Sequence, residues 1–370
     1  SKKTKHKKQR LLLMKSKKNV LIILPHLIGK GGVAQYWRNL KPFYDSSHEF
    51  NFYYFQIGSN KKQNLHIIKD QLRLNDLLKN KDFDFVHLNP SLNYKSIARD
   101  CLFIKKIRKF KIPFMVTFHG WNPKIEKQLR TYFPFILKST FLKSSYILVL
   151  SEEFKKNILN WGFKNGISVE TTCIGNDLLD GFNIHQKIEK FKNSDCIHIL
   201  YISRIVKLKG VLETIKAIEI LSCKFNVKLN IAGVGPYLNQ AKDYVRSKKI
   251  SNVKFLGYVQ GDNKLNLFYN SHILCFPSIY PEGLPVTIME AVATGCALIT
   301  TPNAGIKDIF IKNKMGLFCS NKPHDIASKI KNLLNSGNLL KVMEFNNNHG
   351  HNYSAKYVYS RLIKIYKSVL

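Results

Sequence analysis

Residues 273–300 read ILCFPSIYPEGLPVTIMEAVATGCALIT, and this stretch decides the fold. Two short apolar runs, Ile273–Phe276 and Ala297–Thr300, enclose a segment with the composition of a helix. Pro285 suits the first turn of that helix, because the N–H that proline lacks would be unpaired there, and Gly295 suits the C-terminal stop. A strand, a helix and a second strand in this order predict a βαβ unit with parallel strands.

The same alternation of apolar runs and helical patterns extends over the whole chain. The predicted strands are Val20–Leu24, Asn51–Gln56, Phe85–Leu88, Phe114–Phe118 and Tyr146–Leu150, and then Ile197–Ile202, Lys228–Ala232, Val253–Leu256, Ile273–Phe276 and Ala297–Thr300. Strands separated by single helices form parallel sheets. We therefore predict an α/β protein with two doubly wound Rossmann-like domains that face a cleft, with ligands at the carboxyl ends of the strands.

The domain bounds follow from the gaps in this pattern. Residues 1–19 carry nine basic residues and no acid, which predicts a flexible basic arm. The other predicted units are an N-terminal Rossmann-like domain at 20–176, a linker at 177–195, a C-terminal Rossmann-like domain at 196–350 and a helix at 351–370. The linker is placed where apolar periodicity is missing, and whether the last helix crosses back to the N-terminal domain is left open.

The charge is strongly basic, since 59 Lys+Arg against 24 Asp+Glu give a formal net charge of +35. The basic residues are 50 lysines and nine arginines. Because arginine is the residue that reads guanine edges and grips phosphates with two hydrogen bonds, this balance argues against a nucleic-acid-binding protein. An anionic partner and a compositional bias toward lysine are both left open.

The cysteines and the hydropathy indicate the cellular compartment in which the protein is expected. Seven scattered cysteines without a C-x-x-C pair argue against a zinc site or a disulfide framework and favour a reducing cytoplasm. No segment approaches the ~20 apolar residues of a membrane span. The apolar stretch Leu11–Met14 is too short for a signal peptide, so we expect neither secretion by that route nor a membrane span.

Two glutamates accompany the predicted helix. Glu282 lies in the loop before it, and Glu290 lies inside it, five residues after Pro285. At ~1.5 Å per residue this interval spans roughly 7.5 Å, about the length of a diphosphate with part of its two sugars. The free N–H groups at the helix start would face the diphosphate, with Glu282 toward the hydroxyls of a transferred sugar and Glu290 toward the ribose. A surface Glu and a capping Glu are the alternative interpretation.

Arg204 and Lys209 flank a strand-to-helix turn that follows Ile197–Ile202. Two cations at the carboxyl end of a strand face the cleft, where they would neutralise a diphosphate leaving group without a metal. A solvated basic turn is the alternative in a chain so rich in lysine.

Two further signals lie in the first half of the chain. Gly31 and Gly32 belong to a Gly-rich loop after the first strand that is not G-x-G-x-x-G, so the fingerprint of Rossmann dehydrogenases is absent. The loop suits a close approach of phosphate or sugar, or is a plain tight turn. His119 ends a strand within Thr117–Gly120 and is predicted to point into the cleft, with a structural histidine as the alternative.

Taken in order, these motifs resemble the retaining glycosyltransferases of family four, which have the two-domain GT-B fold. The resemblance runs nearly end to end. It rests on Gly31-Gly32, Asp84–Leu88, Thr117–Gly120, Ser203-Arg204 with Lys209-Gly210, Ala232–Pro236, Phe255–Val259, Phe276–Ser278, the pair Glu282 and Glu290, and Gly316–Phe318. Asp82-Phe-Asp84 matches the D-x-D of metal-dependent glycosyltransferases, but it enters a strand of the first domain, so no metal is predicted.

The resemblance implies roles for these residues. Arg204 and Lys209 would bind the donor phosphates, Glu290 the ribose and Glu282 the donor sugar, with His119 beside the reacting sugar. The other implied donor-binding positions are Gly31 and Gly32 near the phosphate or acceptor, Tyr258 and Val259 beside the nucleobase, and the backbone of Gly283, Leu284, Pro285 and Val286 on the phosphates. The donor would be a UDP- or GDP-linked sugar, with no cofactor, and a front-face displacement would retain the anomeric configuration.

The chain departs from the family pattern at two places. Ile174-Gly-Asn-Asp177 stands where the family usually has Pro-Asn-Gly-Val, so the interdomain turn differs. Ala304-Gly305-Ile-Lys-Asp308 stands where the family usually has Gly-Gly followed by a glutamate; Asp308 is one methylene shorter, and whether it contacts the donor sugar is left open.

The resemblance also implies that the first domain binds the acceptor, a glycan or a lipid-linked glycan, while the second binds the nucleotide-sugar. In the first domain the run Lys105–Lys111 is basic, and Lys124–Lys143 mixes basic residues with Tyr132, Phe133, Phe135 and Phe141. This mixture fits a peripheral contact with an anionic membrane. It fits equally a core-facing aromatic stripe with solvated lysines, and both interpretations stay open.

We therefore predict a retaining, metal-independent glycosyltransferase of bacterial surface polysaccharide or glycolipid synthesis. It would work in the cytoplasm, at the inner membrane face if its lysines contact lipid. Two alternatives from other classes are a basic nucleic-acid-binding protein and a catalytically idle partner of another transferase. No nucleic-acid partner is expected, because the arginine density and the recognition motifs of such proteins are missing.

Overall fold

The computed structural model describes residues 17–29, 31–58, 66–281 and 283–370. Its first half contains a sheet of six parallel strands, in the order β2-β1-β3-β4-β5-β6. The strands are β1 (Lys18–Pro25), β2 (Phe50–Ile57), β3 (Phe85–Leu88), β4 (Phe114–Thr117), β5 (Tyr146–Val149) and β6 (Gly166–Val169). The order reverses between β1 and β3, which is where a ligand crevice forms in a doubly wound sheet.

The second half contains another sheet of six parallel strands, in the order β12-β11-β10-β7-β8-β9. The strands are β7 (Ile197–Ile202), β8 (Val227–Ala232), β9 (Val253–Gly257), β10 (Ile273–Phe276), β11 (Ala297–Thr300) and β12 (Gly316–Phe318). Here the order reverses between β7 and β10. The predicted α/β class with two doubly wound domains is confirmed.

All ten predicted strands are present, and the structure adds two that the sequence interpretation missed. β6 is an edge strand of half-buried and exposed residues, so it has no continuous apolar run. β12 is an edge strand of three residues, which is too short to show a pattern. Edge position alone does not explain these two misses, because β2 and β9 are also edge strands and were predicted; β6 and β12 differ in having no long apolar run.

Helices cover both faces of the first sheet. They are α1 (Gly32–Asp45), α2 (His66–Asn80), α3 (Tyr94–Lys109), α4 (Pro123–Tyr132), α5 (Pro134–Ser139) and α6 (Glu152–Asn160). Helices α2 to α6 share one core with one face of the sheet, and α1 belongs to the core on the opposite face.

The helices of the second half are α7 (Ile184–Lys192), α8 (Val211–Leu221), α9 (Leu238–Ser247), α10 (Gly261–Tyr269), α11 (Val286–Ala293), α12 (Ala304–Ile309), α13 (Pro323–Asn335), α14 (Leu339–Gly350) and α15 (Ala355–Val369). Among the described residues, no helix is both long and apolar enough to reach across a bilayer.

Helix α7 lies inside residues 177–195, the stretch predicted as a linker because it lacks apolar periodicity. Ile184, Lys187 and Ile188 are its buried residues. The Lys187 ammonium donates to the carbonyl oxygens of Phe268 at 2.9 Å and Thr294 at 2.7 Å, at the ends of α10 and α11. A cation is stabilised at helix C-termini, so a lysine that reads as solvated in the sequence is part of the core here.

Helix α15 packs on the first sheet. Its Tyr366 hydroxyl lies 2.6 Å from His87 Nδ1, and its Arg361 guanidinium grips the buried Glu170 carboxylate at 2.6–3.0 Å. Next to this contact the chain passes between the two halves twice, where Ile174 pairs with Ser354. The last helix therefore crosses back to the N-terminal half.

The two halves also meet along the cleft. Leu150, which follows β5, packs in a core cluster with Leu284 and Ile306 of the second half. The backbone N–H of Glu152, at the start of α6, donates to the Asp308 carboxylate at 2.8 Å. A carboxylate at a helix N-terminus is favourable, so Asp308 ties the second half to the first.

Candidate functional site

A cavity of about 620 Å³ lies between the two sheets. Its lining comes from the loop and helix after β1, from the crossing segment near Gly175, and from the turns after β7, β8 and β9. Predicted site residues that line it are Gly31, Gly32, Arg204, Tyr258, Val259, Val286 and Glu290. Folding thus brings together positions that are up to 259 residues apart, beside the switch point of the second sheet.

Five other predicted residues do not line this cavity. His119, Lys209, Gly283, Leu284 and Pro285 are in this group. A Cβ atom at Gly283 would lie 3.2 Å from the carbonyl oxygen of His119, so their loops are in contact. Leu284 is buried in the interdomain core. Glu282 lies outside the described residues.

Arg204 and Lys209 converge on one aromatic ring. The Arg204 guanidinium lies 5.3 Å from the centroid of the Tyr280 ring, and the Lys209 ammonium lies 5.4 Å from the same centroid. Gly210, which follows, has φ of 78°, and a Cβ atom there would lie 2.7 Å from the Pro277 carbonyl oxygen. Only glycine suits that turn, and the turn places the Lys209 ammonium beside the Tyr280 ring.

The pKa of Lys209 is lowered to about 7, first by burial and then by the positive charge of Arg204. Burial penalises the charged form of a lysine, and a neighbouring cation adds to the penalty. An anion placed between the two cations would restore the proton. The pair is therefore electrostatically suited to a phosphate-bearing ligand.

Glu290 lies on α11 in the cavity wall, with 5% of its surface exposed. Its Oε1 atom forms an ion pair with Lys264 Nζ of α10 at 2.5 Å. Its Oε2 atom is buried and has no hydrogen-bond partner among the described residues. A buried oxygen without a donor is costly, so this atom is available to a ligand hydroxyl.

The start of α11 points at the same cavity. Pro285 is the residue before its first turn, and Val286 and Thr287 line the cavity. The first backbone N–H groups of a helix have no partner within it and favour anions. Of Pro285 and Val286, for which the resemblance implied a backbone role, only Val286 has a backbone N–H to donate, because proline has none, and its contact with a phosphate stays a prediction.

His119 is held by Asn89. The Asn89 amide NH₂ donates to the Ile23 carbonyl at 3.0 Å, which leaves its Oδ1 atom facing His119 Nε2 at 2.8 Å. His119 Nε2 is thus the protonated nitrogen, and Nδ1 is an acceptor. Burial lowers the pKa of His119 to about 3, so the ring is neutral at physiological pH and lies 4.9 Å from the ring of Tyr36.

The Gly-rich loop is anchored from α1. Arg38 donates to the carbonyl oxygens of Leu27 and, at 2.8 Å, of Gly29, and its other amino group donates to Gln35 at 2.6 Å. Gly31 and Gly32 have open space where a Cβ atom would be. No protein atom therefore requires glycine at these two positions, and their close approach to a phosphate or sugar stays a prediction.

Several lining residues had not been assigned to the site from the sequence, although Gly175, Asp177, Gly233 and Gly235 lie in motifs that the sequence analysis quoted. These lining residues are Gln35, Arg38, Gly175, Asp177, Leu178, Gly233, Gly235, Lys264 and Leu265. Tyr280 and Asn89, which position predicted residues, were also missed. Gly233 and Gly235 had a usable signal, since a G-x-G after an apolar strand marks a close approach; a Cβ atom at Gly233 would lie 1.9 Å from the Ser203 carbonyl. Lys264 had no such sequence signal, because nothing in its surroundings distinguishes it from the other lysines of the chain.

The D-x-D sequence has a structural explanation. The Asp84 carboxylate accepts a hydrogen bond from the Asn19 backbone N–H at 2.7 Å, at the entry to β1. Within residues 17–29, 31–58, 66–281 and 283–370, no group of three or more His, Cys, Asp and Glu side chains could hold a metal ion.

Comparison with known proteins gives two family matches. Residues 31–169 match the model described as Glycosyltransferase Family 4, and residues 183–349 match that of Glycosyl transferases group 1. The capsular polysaccharide biosynthesis glycosyltransferase CapM of Staphylococcus aureus is 28% identical over 233 residues, which cover 60% of this chain and 57% of that protein. An uncharacterized glycosyltransferase of Methanocaldococcus jannaschii is 27% identical over 211 residues, covering 55% and 53%. The chain thus spans about half the length of these curated relatives.

Solved structures match over nearly the full length. A glycosyltransferase from Rickettsia africae has a TM-score of 0.69 at 19% identity, with 96% of this chain and 99% of that chain covered. The HepE protein of Anabaena, in complex with UDP and glucose, has a TM-score of 0.72 at 13% identity, with 95% and 100% covered. At these identities the likeness concerns the fold.

Proposed function

This chain belongs to the glycosyltransferases of group 1 with the GT-B fold, and on that premise we propose that it transfers a sugar from a nucleotide-sugar to a glycan or lipid-linked glycan. The transfer retains the anomeric configuration and needs no metal. The acceptor belongs to bacterial surface polysaccharide or glycolipid synthesis, which the capsular relative supports. UDP- and GDP-linked sugars are the donors to test, and the UDP complexes of the Anabaena neighbour favour starting with UDP.

One observation carries this proposal. Arg204 of the cation pair after β7, the start of α11 and Glu290 all line the same cavity, and one carboxylate oxygen of Glu290 has no hydrogen-bond partner among the described residues. A nucleotide-sugar offers the matching groups, namely a diphosphate for the cations and the helix start, and ribose hydroxyls that donate to Glu290. A basic nucleic-acid-binding surface would not need a buried acceptor of this kind.

In the proposed reaction, Arg204 and Lys209 stabilise the charge that develops on the leaving diphosphate. The bond between the anomeric carbon and the phosphate oxygen breaks as the acceptor oxygen bonds to that carbon on the same face. The leaving phosphate takes up the acceptor's proton. The neutral His119 ring is positioned by Asn89 beside the sugar, where Nδ1 accepts a hydrogen bond from a hydroxyl and does not supply a proton.

A thermal-shift screen against UDP, GDP and their sugars identifies the donor, because ligands of the folded state raise its melting temperature. Sugar transfer is then measured for the responsive donor with the wild-type chain and the Arg204→Ala and Glu282→Ala variants. Transfer that is lost in both folded variants supports the proposal, and wild-type rates in both refute it. Transfer by the purified wild-type chain excludes an idle partner.

Replacing Glu290 with glutamine is expected to raise the KM for the donor by about 10- to 100-fold, because each hydrogen bond to a charged group contributes about 1.5–3 kcal/mol. Lys264→Met is expected to have a smaller effect of the same kind, since Lys264 orients Glu290. Glu219→Gln is the matched control, because Glu219 binds Tyr244 outside the cavity. An unchanged KM in Glu290→Gln would exclude the ribose role.

The affinity for the donor is expected to fall as the pH rises through about 7. The pKa of Lys209 is about 7 in the free protein, and a bound diphosphate raises it, so binding takes up a proton above that pH. Titration calorimetry of UDP-glucose between pH 6 and 9, in two buffers of different ionisation enthalpy, measures this uptake. Lys209→Met should abolish the uptake, and a wild-type value near zero at pH 8 would contradict the prediction.

A further inference from the structure

A row of large apolar side chains lies on the outside of the first domain, where α4 meets α5. Tyr132, Phe133, Phe135 and Ile136 have 72%, 51%, 78% and 36% of their surfaces exposed. We call these four residues the aromatic ridge. Soluble surfaces carry single exposed hydrophobic residues as a rule, and a contiguous group marks an interaction site.

The ridge is held in place from beneath. Leu129, Leu137 and Phe141 flank it in the chain and are buried in the core below. Pro134 starts α5, and the backbone N–H of Phe133 donates to the Leu129 carbonyl at 3.0 Å. The sequence left open whether the aromatic residues of this segment face the core or an outer surface, and the structure answers this for each residue. Phe141 belongs to the core, whereas the four ridge residues face outward.

Helix α3 extends this surface. The Arg108 guanidinium donates to the Ser139 carbonyl at 2.8 Å, and the Tyr94 hydroxyl contacts Gln128, so α3 lies against both α5 and α4. Tyr94 and Leu102 of α3 are themselves largely exposed. Helix α3 therefore adds exposed apolar side chains to the layer that carries the ridge.

The exposed charges of the segment that carries the ridge are all basic. Residues 123–143 include five basic residues, namely Lys124, Lys127, Arg130, Lys138 and Lys143, all of them exposed. Glu126 is the one acid of that segment. It is buried, accepts a hydrogen bond from Trp161 Nε1 at 3.0 Å and pairs with Arg130 at 3.4 Å. Solvent around the ridge therefore meets mostly positive charge.

We propose that the aromatic ridge inserts into the headgroup and upper acyl region of an anionic bilayer, with the surrounding lysines on lipid phosphates. Exposed aromatic residues ringed by lysine are the composition of an interfacial membrane contact. A protein partner with an acidic face would also attract the lysines, but the aromatic side chains then need a fitted pocket. This inference does not depend on sugar transfer, because membrane binding is measured without turnover.

The test must separate insertion from adsorption, because a chain with a net charge of +35 adsorbs to any anionic surface. The three native tryptophans, Trp37, Trp121 and Trp161, are all buried. A tryptophan introduced by Phe135→Trp in the full chain therefore reports on the ridge. The matched control is Tyr357→Trp, at an exposed position of α15. Both are mixed with vesicles of equal parts phosphatidylglycerol and phosphatidylcholine, with and without brominated acyl chains.

Insertion predicts a blue-shifted emission of the Phe135→Trp variant and its quenching by the brominated chains, with neither change in the control. The Phe133→Ser/Phe135→Ser variant should bind these vesicles at least tenfold more weakly in flotation, while Tyr357→Ser binds as the wild type does. Unquenched Phe135→Trp fluorescence, or undiminished binding of the double variant, would overturn the proposal.

The lysines are tested by charge reversal. Lys127→Glu/Lys138→Glu should weaken binding more than Lys331→Glu/Lys341→Glu, which makes the same change in net charge on exposed positions of the second domain. Equal losses in both pairs would show adsorption by net charge alone and refute a specific surface.

A dimer that forms at high protein concentration and dissociates in Phe135→Ser would assign the ridge to a second copy of this chain instead.

Discussion

Replacing Arg204 with methionine is expected to lower the turnover number by about 10²–10³-fold, the usual cost of removing one preorganised group that stabilises transition-state charge. The loss falls on turnover because the leaving diphosphate is most negative as its bond to the sugar breaks. Lys209 alone does not replace Arg204, since a single ammonium lacks the planar guanidinium fork that grips two phosphate oxygens. The measurement is single-turnover sugar transfer at a saturating donor concentration.

Two variants make this experiment specific. Arg246→Met is the matched control, because Arg246 is exposed on α9 and pairs with Asp243 away from the cavity. Arg204→Lys keeps the charge but loses the planar fork that grips two phosphate oxygens, so we expect it to restore the rate only in part. A rate of Arg204→Met within threefold of the control, in a folded protein, would remove Arg204 from the proposed mechanism.

The second large effect is expected from a single methyl group between the domains. Gly305 lies at the start of α12, and a Cβ atom there would be 2.2 Å from the carbonyl oxygen of Leu150. One of the two backbone segments must move to make room for the methyl group, and because they belong to different halves we expect the cleft to open. Since a misplacement of about 1 Å can cost a reaction about 100-fold, Gly305→Ala is expected to lower transfer by that order.

The affinity of Gly305→Ala for nucleotide is expected to stay within a few-fold of the wild type, because Arg204, Lys209 and Glu290 are all in the second domain. Transfer kinetics and calorimetry separate the two effects, and small-angle scattering measures the opening of the cleft. Lys307→Ala, which changes an exposed residue of the same helix, is the control. Unchanged transfer in Gly305→Ala would mean that this contact does not set the reactive geometry.

A second contact between the domains, close to that of Gly305 with Leu150, involves Asp308. The sequence placed it at a position where the family usually has a glutamate, and no donor contact was assigned to it. In the structure its carboxylate accepts from the Glu152 backbone at the start of α6. The residue acts between the domains, a role that cannot be seen in sequence because its partner is 156 positions away.

The sequence by itself determined the layers and most of the candidate site. Short apolar runs between helical patterns and turn residues predict parallel strands, and motifs that follow parallel strands lie at one edge of a sheet. Arg204, Val286 and Glu290 could therefore be assigned to one cleft. The weak edge strands β6 and β12 and the helix α7 were missed, because their burial comes from contacts rather than from a pattern of their own.

Only the tertiary structure decided which charges and aromatics have a function. Fifty lysines look alike in the sequence, yet Lys187 is buried on two carbonyl oxygens, Lys264 holds Glu290, and Lys209 shares a ring with Arg204. Phe141 and Phe135 are six positions apart and face opposite environments. The physical reason is that pairing and burial depend on elements brought together by folding, whereas sequence patterns report only the periodicity within one element.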